Sequence, residues 1–236
     1  MNETFHDQLI AARDKNHSKD HPFSICGRRG KLTKEQTAFY CTQHFHYVGD
    51  YLNWLAYEAS QIPRRDVKAF LFENLGDEEN PDDRHLDMLK DYVAASGVER
   101  DSVETSIVLP GTDQLQNWGW RMVYHRPWQA ALAGMFIGLE SQFLDICKRS
   151  CRRCTNTTVT KRAPARSVSS KNTSMPMKFT APRDSRSSRN TAIRAELQAL
   201  AIKQIEEATV RRWRYMNSIY WYVLHGKVDD TPVLPT

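Results

Sequence analysis

The chain has 236 residues, enough for one substantial core or two small ones, and no apolar run in it is long enough to cross a membrane. Five Cys without a regular framework, and no signal peptide at the start, fit a reducing compartment, so a cytoplasmic location is expected. The net charge of +5 is unevenly spread: residues 148 to 194 hold 13 Lys+Arg and one acid, Asp184, a balance of +12, and the rest of the chain carries −7. Whole-chain charge therefore gives no argument for nucleic-acid binding.

Taken in chain order, the first residues, MNETFHDQLIAARDKNH, read as an amphipathic helix. Residues 34–60 form a long helix, with Phe45, Val48, Leu52 and Leu55 on one face, Thr33 as cap and Gln36 completing a capping box. Ile62-Pro63 ends it. Residues 65–75 make a shorter helix, Asn80-Pro81-Asp82 a turn, and Asp82 or Asp83 opens a helix that runs to Ala95 and stops at Gly97. A short helix is expected over 102–108, before a break at Pro110-Gly111. Residues 128–146 carry the apolar stripe Leu132, Met135, Phe136, Leu139 and Phe143. Residues 196–225 close the chain as a helix with Trp213, Met216, Tyr220 and Val223 on one face. With no alternating strand, the fold class is an all-α bundle in a single domain. Residues 143–194 break the pattern: between 148 and 194 stand fifteen Ser/Thr and little of large apolar character, the composition of a basic disordered linker.

Two features carry chemistry. Residues 72–85 read FENLGDEENPDDRH, and Glu140 opens ESQ within an otherwise apolar helix. Carboxylates and imidazoles on packed helices are rarely buried unless they are paired or bind a metal. Against this, Glu78 and Glu79 also suit solvated helix-end acids, and His85 a helix N-terminal residue.

Through HPFS (residues 21–24), KLTKEQTAFYCTQHFHYV, FENLGDEE…H and the ESQ helix, the sequence resembles the haem-oxygenase-like superfamily. That superfamily includes thiaminase-II (TenA)-like proteins, pyrroloquinoline-quinone synthase C (PqqC) and the CADD-like haem-oxygenase-like diiron oxidases, the last being the closest in look. The resemblance implies a bundle of about seven helices and a two-iron site. It implies metal ligation by Glu78 (or, by a one-residue slip, Glu79), His85 and Glu140, and three further ligands in a His-x3-Asp-x2-His helix. The partners implied are dioxygen and a small organic substrate, in cofactor biosynthesis, with no membrane or nucleic acid; a homodimer is left open.

The His-x3-Asp-x2-His helix belongs where the basic segment stands. Translated one frame out, residues 172–180 permit H-x-H-A-D-E-I-H, with the same outer pattern, and residues 142–144 permit V-P after ESQ. From these coincidences residues 143–194 are inferred to be a frame-shifted stretch, with one helix of the bundle disrupted. The rivals are a metal-free PqqC/TenA-like enzyme, with Cys41 as the thiaminase-like nucleophile, and a degenerate homologue that acts as an interaction protein. Cys147, Cys151 and Cys154 match the C-x3-C-x2-C spacing of an iron–sulfur loop but lack the α/β context it needs.

Overall fold

The computed structural model describes residues 4–143 and 188–228. Among them every regular element is a helix, as the sequence predicts. The chain forms two compact units, one from residues 1–28 and 129–210, the other from 29–128 and 211–236. The proposed frame-shifted stretch and the Cys147/Cys151/Cys154 motif lie, from residue 144 to 187, outside the described residues.

In the first unit, α1 (Phe5–Asp14) is opened by a capping box between Thr4 and Asp7. A 3-10 turn (Ser18–Asp20) leads to α2 (Pro22–Arg28). The ring nitrogens of His17 and His21 accept from the backbone N–H of Lys19 and Phe23, each at 3.1 Å, so these two buried imidazoles act as local caps. α7 (Trp128–Leu132) passes without a break into a π-helical segment, Ala133–Glu140. The buried Gln142 side chain accepts from the Ser18 N–H at 2.7 Å and donates to the Gly138 carbonyl, tying this helix to the 3-10 turn. Leu9, Ala12, Ala133, Ala201 and Ile205 form one core cluster. A Cβ on Gly138 would sit 2.5 Å from that of Ala208, so only Gly lets the two backbones approach this closely.

The second unit is built on α3 (Lys34–Gln61), which packs against α4 (Arg65–Glu78), α5 (His85–Ala95) and α6 (Pro110–His125). The Thr33/Gln36 capping box forms as expected. Ala38, Cys41, Val93 and Val103 make one core cluster. Buried Gln43 is a polar knot: its amide donates to the Ile107 carbonyl at 2.7 Å and accepts from Leu109 N–H at 3.0 Å and Thr112 Oγ1 at 2.7 Å. The final helix, α8 (Ser188–His225), contributes its C-terminal part to this unit.

Several expectations are corrected. Pro110 does not break structure but starts α6, a helix the sequence reading missed; proline at the first helical position loses no hydrogen bond. The signal was present in Leu115, Trp118, Gly119, Met122 and Val123, all buried at helical spacing. The helix expected over 102–108 shrinks to a 3-10 turn, Arg100–Val103. α5 begins at His85 rather than Asp82 or Asp83, because Asn80 holds the N–H groups of both aspartates in a turn. α8 begins at Ser188, ahead of Glu196; the Arg and Ala residues upstream propagate a helix that is already nucleated. The stripes also shift. On α8 the buried face is Arg212, Tyr215, Met216 and Ile219, with Trp213, Tyr220 and Val223 only partly buried. Phe143 is 36% exposed, because the π-helical stretch before it breaks the 3.6-residue period on which the stripe was drawn.

Candidate metal centre

α4 ends on Glu78 and α5 begins on His85, so the intervening turn decides whether the two side chains meet. They do: Glu78 Oε2 contacts His85 Nδ1, with the glutamate side chain 20% exposed. The neighbouring Glu79 faces away and pairs with Arg84 at 2.9 Å, where both side chains are 44% exposed. The turn thus separates the two adjacent carboxylates that the sequence left open. Arg84 also reaches Asp87, and Arg100 binds Asp87 at 2.9 Å and Asp91 at 2.7 Å, so the acids at the start of α5 are already engaged with arginines.

His44 of α3 lies within electrostatic reach of His85 and of buried Arg212. Burial, reinforced by the Arg212 and His85 charges, pushes its pKa down to about 3, so the ring is neutral at physiological pH. Its Nδ1 is sealed from solvent without a hydrogen-bond partner in the protein. Tyr40 stacks on it at 5.4 Å between centroids, and Tyr47 flanks it at 5.6 Å. His46, two residues on, points elsewhere and meets Ser106 Oγ at 2.9 Å.

Glu140 belongs to the other unit, where it is the half-buried last residue of the π-helical segment. π-helical turns cost regular hydrogen bonding and recur at functional positions, so a carboxylate at the end of one merits the same suspicion as one on an apolar helix face.

The donor types suit iron: carboxylate oxygen and imidazole nitrogen are the ligands of non-haem iron sites. Glu78 and His85 supply one of each from side chains already in contact. Among the described residues no group of three or more His, Cys, Asp or Glu is gathered closely enough to hold a metal ion. The nucleophile reading of Cys41 fares worse. Its thiol is buried, 7% exposed, and burial pushes its pKa up to about 12, opposite to the activation a catalytic thiolate needs.

A family model described as an iron-containing redox enzyme, of the haem-oxygenase type, matches residues 38–165. The chain belongs to this family. The haem-oxygenase-like protein described here is similar to 4-aminobenzoate synthase of Chlamydia muridarum, 33% identical over 100 residues, which is 42% of each chain. It is also similar to 4-aminobenzoate synthase of Nitrosomonas europaea, 28% identical over 152 residues, 61% of each chain. The matched stretches thus span from two fifths to three fifths of these relatives' length. Among solved structures, a TenA homologue from Pseudomonas syringae pv. tomato aligns with a TM-score of 0.67 and 15% identity, covering 92% of this chain and 93% of that one. A TenA homologue from P. horikoshii OT3 aligns with a TM-score of 0.63 and 13% identity, covering 94% and 99%. At these identities the likeness establishes the haem-oxygenase-like helical fold. No helix among the described residues of this haem-oxygenase-like protein is long and apolar enough to cross a membrane.

Arg212 and Glu58 are polar residues of note that sequence reasoning missed. Both stand on buried stripes: Arg212 with Tyr215, Met216 and Ile219, Glu58 with Tyr51, Trp54, Leu55 and Ile62. A charged residue in register with an apolar stripe was the available signal.

Proposed function

We propose that this chain is a dioxygen-dependent oxidoreductase of cofactor biosynthesis, related in reaction to the 4-aminobenzoate synthases, with Glu78, His85 and Glu140 as the iron ligands it supplies. The observation that carries this is the Glu78–His85 contact in a member of an iron-containing redox family. Two irons are the expected complement by resemblance. Bound iron supplies the one-electron steps through which dioxygen reacts with an organic molecule.

The protein's own part is arrangement. The turn over residues 79–84 sets a carboxylate and an imidazole face to face before any cation arrives, and Arg84 draws Glu79 out of competition. Uncharged His44 beside His85 adds no further positive charge to repel a cation.

The test is to load the full chain with ferrous iron under anaerobic conditions, desalt it, and measure retained iron. Dioxygen uptake and 4-aminobenzoate formation are then followed by mass spectrometry. Wild type should retain iron, and Glu78→Gln, His85→Ala and Glu140→Gln should each lower its content. A chain with residues 143–194 restored to the alternative frame should retain more. Iron content in wild type no higher than in the three variants would overturn the assignment.

A further inference from the structure

Aromatic rings fill space in many cores, but those on α3 touch one another and carry polar atoms that packing alone does not need. Tyr47, Tyr51 and Trp54 form a closed triangle, with ring centroids 6.0 Å apart for Tyr47–Tyr51, 6.0 Å for Tyr51–Trp54 and 6.2 Å for Tyr47–Trp54. Tyr215 of α8 adds a branch, 5.9 Å from Tyr47. All four residues are buried, Trp54 completely. Trp54 Nε1 is sealed from solvent with no hydrogen-bond partner in the protein, and so is Glu58 Oε2 on the same helix. Residues at this spacing, i and i+4, stand on one helix face, so an unmatched donor and an unmatched acceptor share that face. Buried polar atoms left unmatched cost free energy and are uncommon in folded proteins, so the pair asks for an explanation.

The triangle lies in the same unit as the Glu78–His85 pair. α5 runs antiparallel to α3: Val93 packs with Ala38 and Cys41, and the Lys90 ammonium lies 5.5 Å over the Phe45 ring. Carried to the start of α5, that register sets His85 level with the turn of α3 from Tyr47 to Tyr51. Tyrosine and tryptophan are the aromatic side chains most readily oxidised by one electron. Rings in contact pass that electron far faster than separated ones, because tunnelling falls off steeply with the gap. Where the oxidised state comes to rest depends on where a proton can go. An oxidised tyrosine must release its hydroxyl proton, and the sealed Tyr215 hydroxyl has no acceptor for it, so Tyr215 is a dead end. An oxidised indole keeps its positive charge for longer, and Glu58 stands one turn away to take the Nε1 proton. Burial holds the Glu58 pKa at about 7, so near neutral pH it accepts a proton and returns it with little bias.

We propose that Tyr47, Tyr51 and Trp54 form an internal electron-transfer path, with Trp54 as its terminal electron donor and Glu58 as the acceptor of the indole proton. One electron leaves Trp54 through the tyrosine rings to a one-electron oxidant, which is reduced. One proton leaves Nε1 for the Glu58 carboxylate. Trp54 is left as the neutral indolyl radical, and both tyrosines end as they began. The path thus holds one oxidising equivalent in the core, away from water. That the oxidant derives from dioxygen at an iron site rests on the function proposed above; the path itself does not.

The experiment illuminates the full-length protein, without added iron, together with tris(bipyridine)ruthenium(II) and a cobalt(III) ammine complex. Light moves an electron from ruthenium to cobalt, and the ruthenium(III) complex so formed is the one-electron oxidant. It is too bulky to touch fully buried Trp54. Peptide mapping by mass spectrometry then measures oxidation at each Tyr and Trp, and Trp54 should be oxidised all the same. Tyr47→Phe combined with Tyr51→Phe keeps the rings but removes both relays. It should lower Trp54 oxidation several-fold and leave that of exposed Tyr124 unchanged. Tyr215→Phe should leave Trp54 oxidation as it is. Glu58→Gln removes the proton acceptor and should also lower it, which keeps the test decisive if the double variant fails to fold. Trp54 spared in wild type, or its oxidation unchanged in a folded double variant or in Glu58→Gln, overturns the proposal, as does an equal loss in Tyr215→Phe. Oxidation of Trp54 along the path in a protein that retains no iron and consumes no dioxygen would leave the path standing and refute the proposed reaction. Iron-dependent turnover with Trp54 spared by the ruthenium oxidant would do the reverse.

Discussion

Glu58 gives the sharpest quantitative expectation. It lies on the buried face of α3 with 1% of its surface exposed, and Oε2 has no hydrogen-bond partner in the protein. Burial alone raises its pKa from 4.5 to about 7. In that interval the folded chain holds a proton that the unfolded chain has released, so folding stability falls as pH rises through the window and levels off above it. At about 1.36 kcal/mol for each pH unit, the interval amounts to about 3 kcal/mol as an upper figure. Glu58→Gln cannot titrate. Its amide leaves a buried donor in place of the acid, which shifts stability by a similar amount at every pH, so the difference in slope is the quantity to read. Urea unfolding of both proteins at pH 5, 6, 7 and 8 should show wild type losing about 2–3 kcal/mol more than the variant across the series. Parallel profiles would refute the reasoning and place the Glu58 carboxyl in contact with water or a partner.

Other substitutions probe the packing. Gly119→Ala would bring a methyl group 2.0 Å from the ring of Trp54, itself fully buried, so thermal unfolding should show a loss at the top of the usual overpacking range of about 1–3 kcal/mol. Thr33→Ala removes the side chain that caps α3 and should cost about 1 kcal/mol in chemical denaturation, with little effect on ligand affinity. In the native protein at pH 8, peptide mapping should find Cys41 alkylated by iodoacetamide at least about tenfold more slowly than partly exposed Cys26, and denaturation should abolish the difference.

The helices most legible in the sequence were those with explicit punctuation. Thr33 and Gln36 announce α3, Ile62-Pro63 closes it, and Gly97, at φ 90°, takes the left-handed conformation that stops α5. α6 was missed because its proline was read as a stop, when only its place relative to the apolar period tells a stop from a start. In the candidate site, Glu78 and His85 were legible as a pair, but the choice between Glu78 and Glu79 was not. One residue of slip at the end of a helix turns a side chain by about 100°, and the hydrogen bonds of the Asn80 turn set that angle. Arg212 and Glu58 were hidden for another reason: pattern reading scores charged residues as solvent-facing, and burial overrides it at positions whose cost function can justify.

The wide helical stretch from Ala133 to Glu140 makes residue count, as well as residue type, a determinant of where the side chains that follow it point. Widened turns hold more residues than α-helical ones, so their length fixes the azimuth at which Glu140 leaves the axis. Loss of one residue from this stretch would change the angle at which Glu140, and the Gln142 side chain that grips the Ser18 N–H, leave the axis, with both residues still present in the sequence. A homologue that keeps the acid but differs by a single residue upstream has therefore kept the letter and lost its direction. In this stretch a one-residue gap redirects the side chains that follow it, which a gap in an exposed loop would not do.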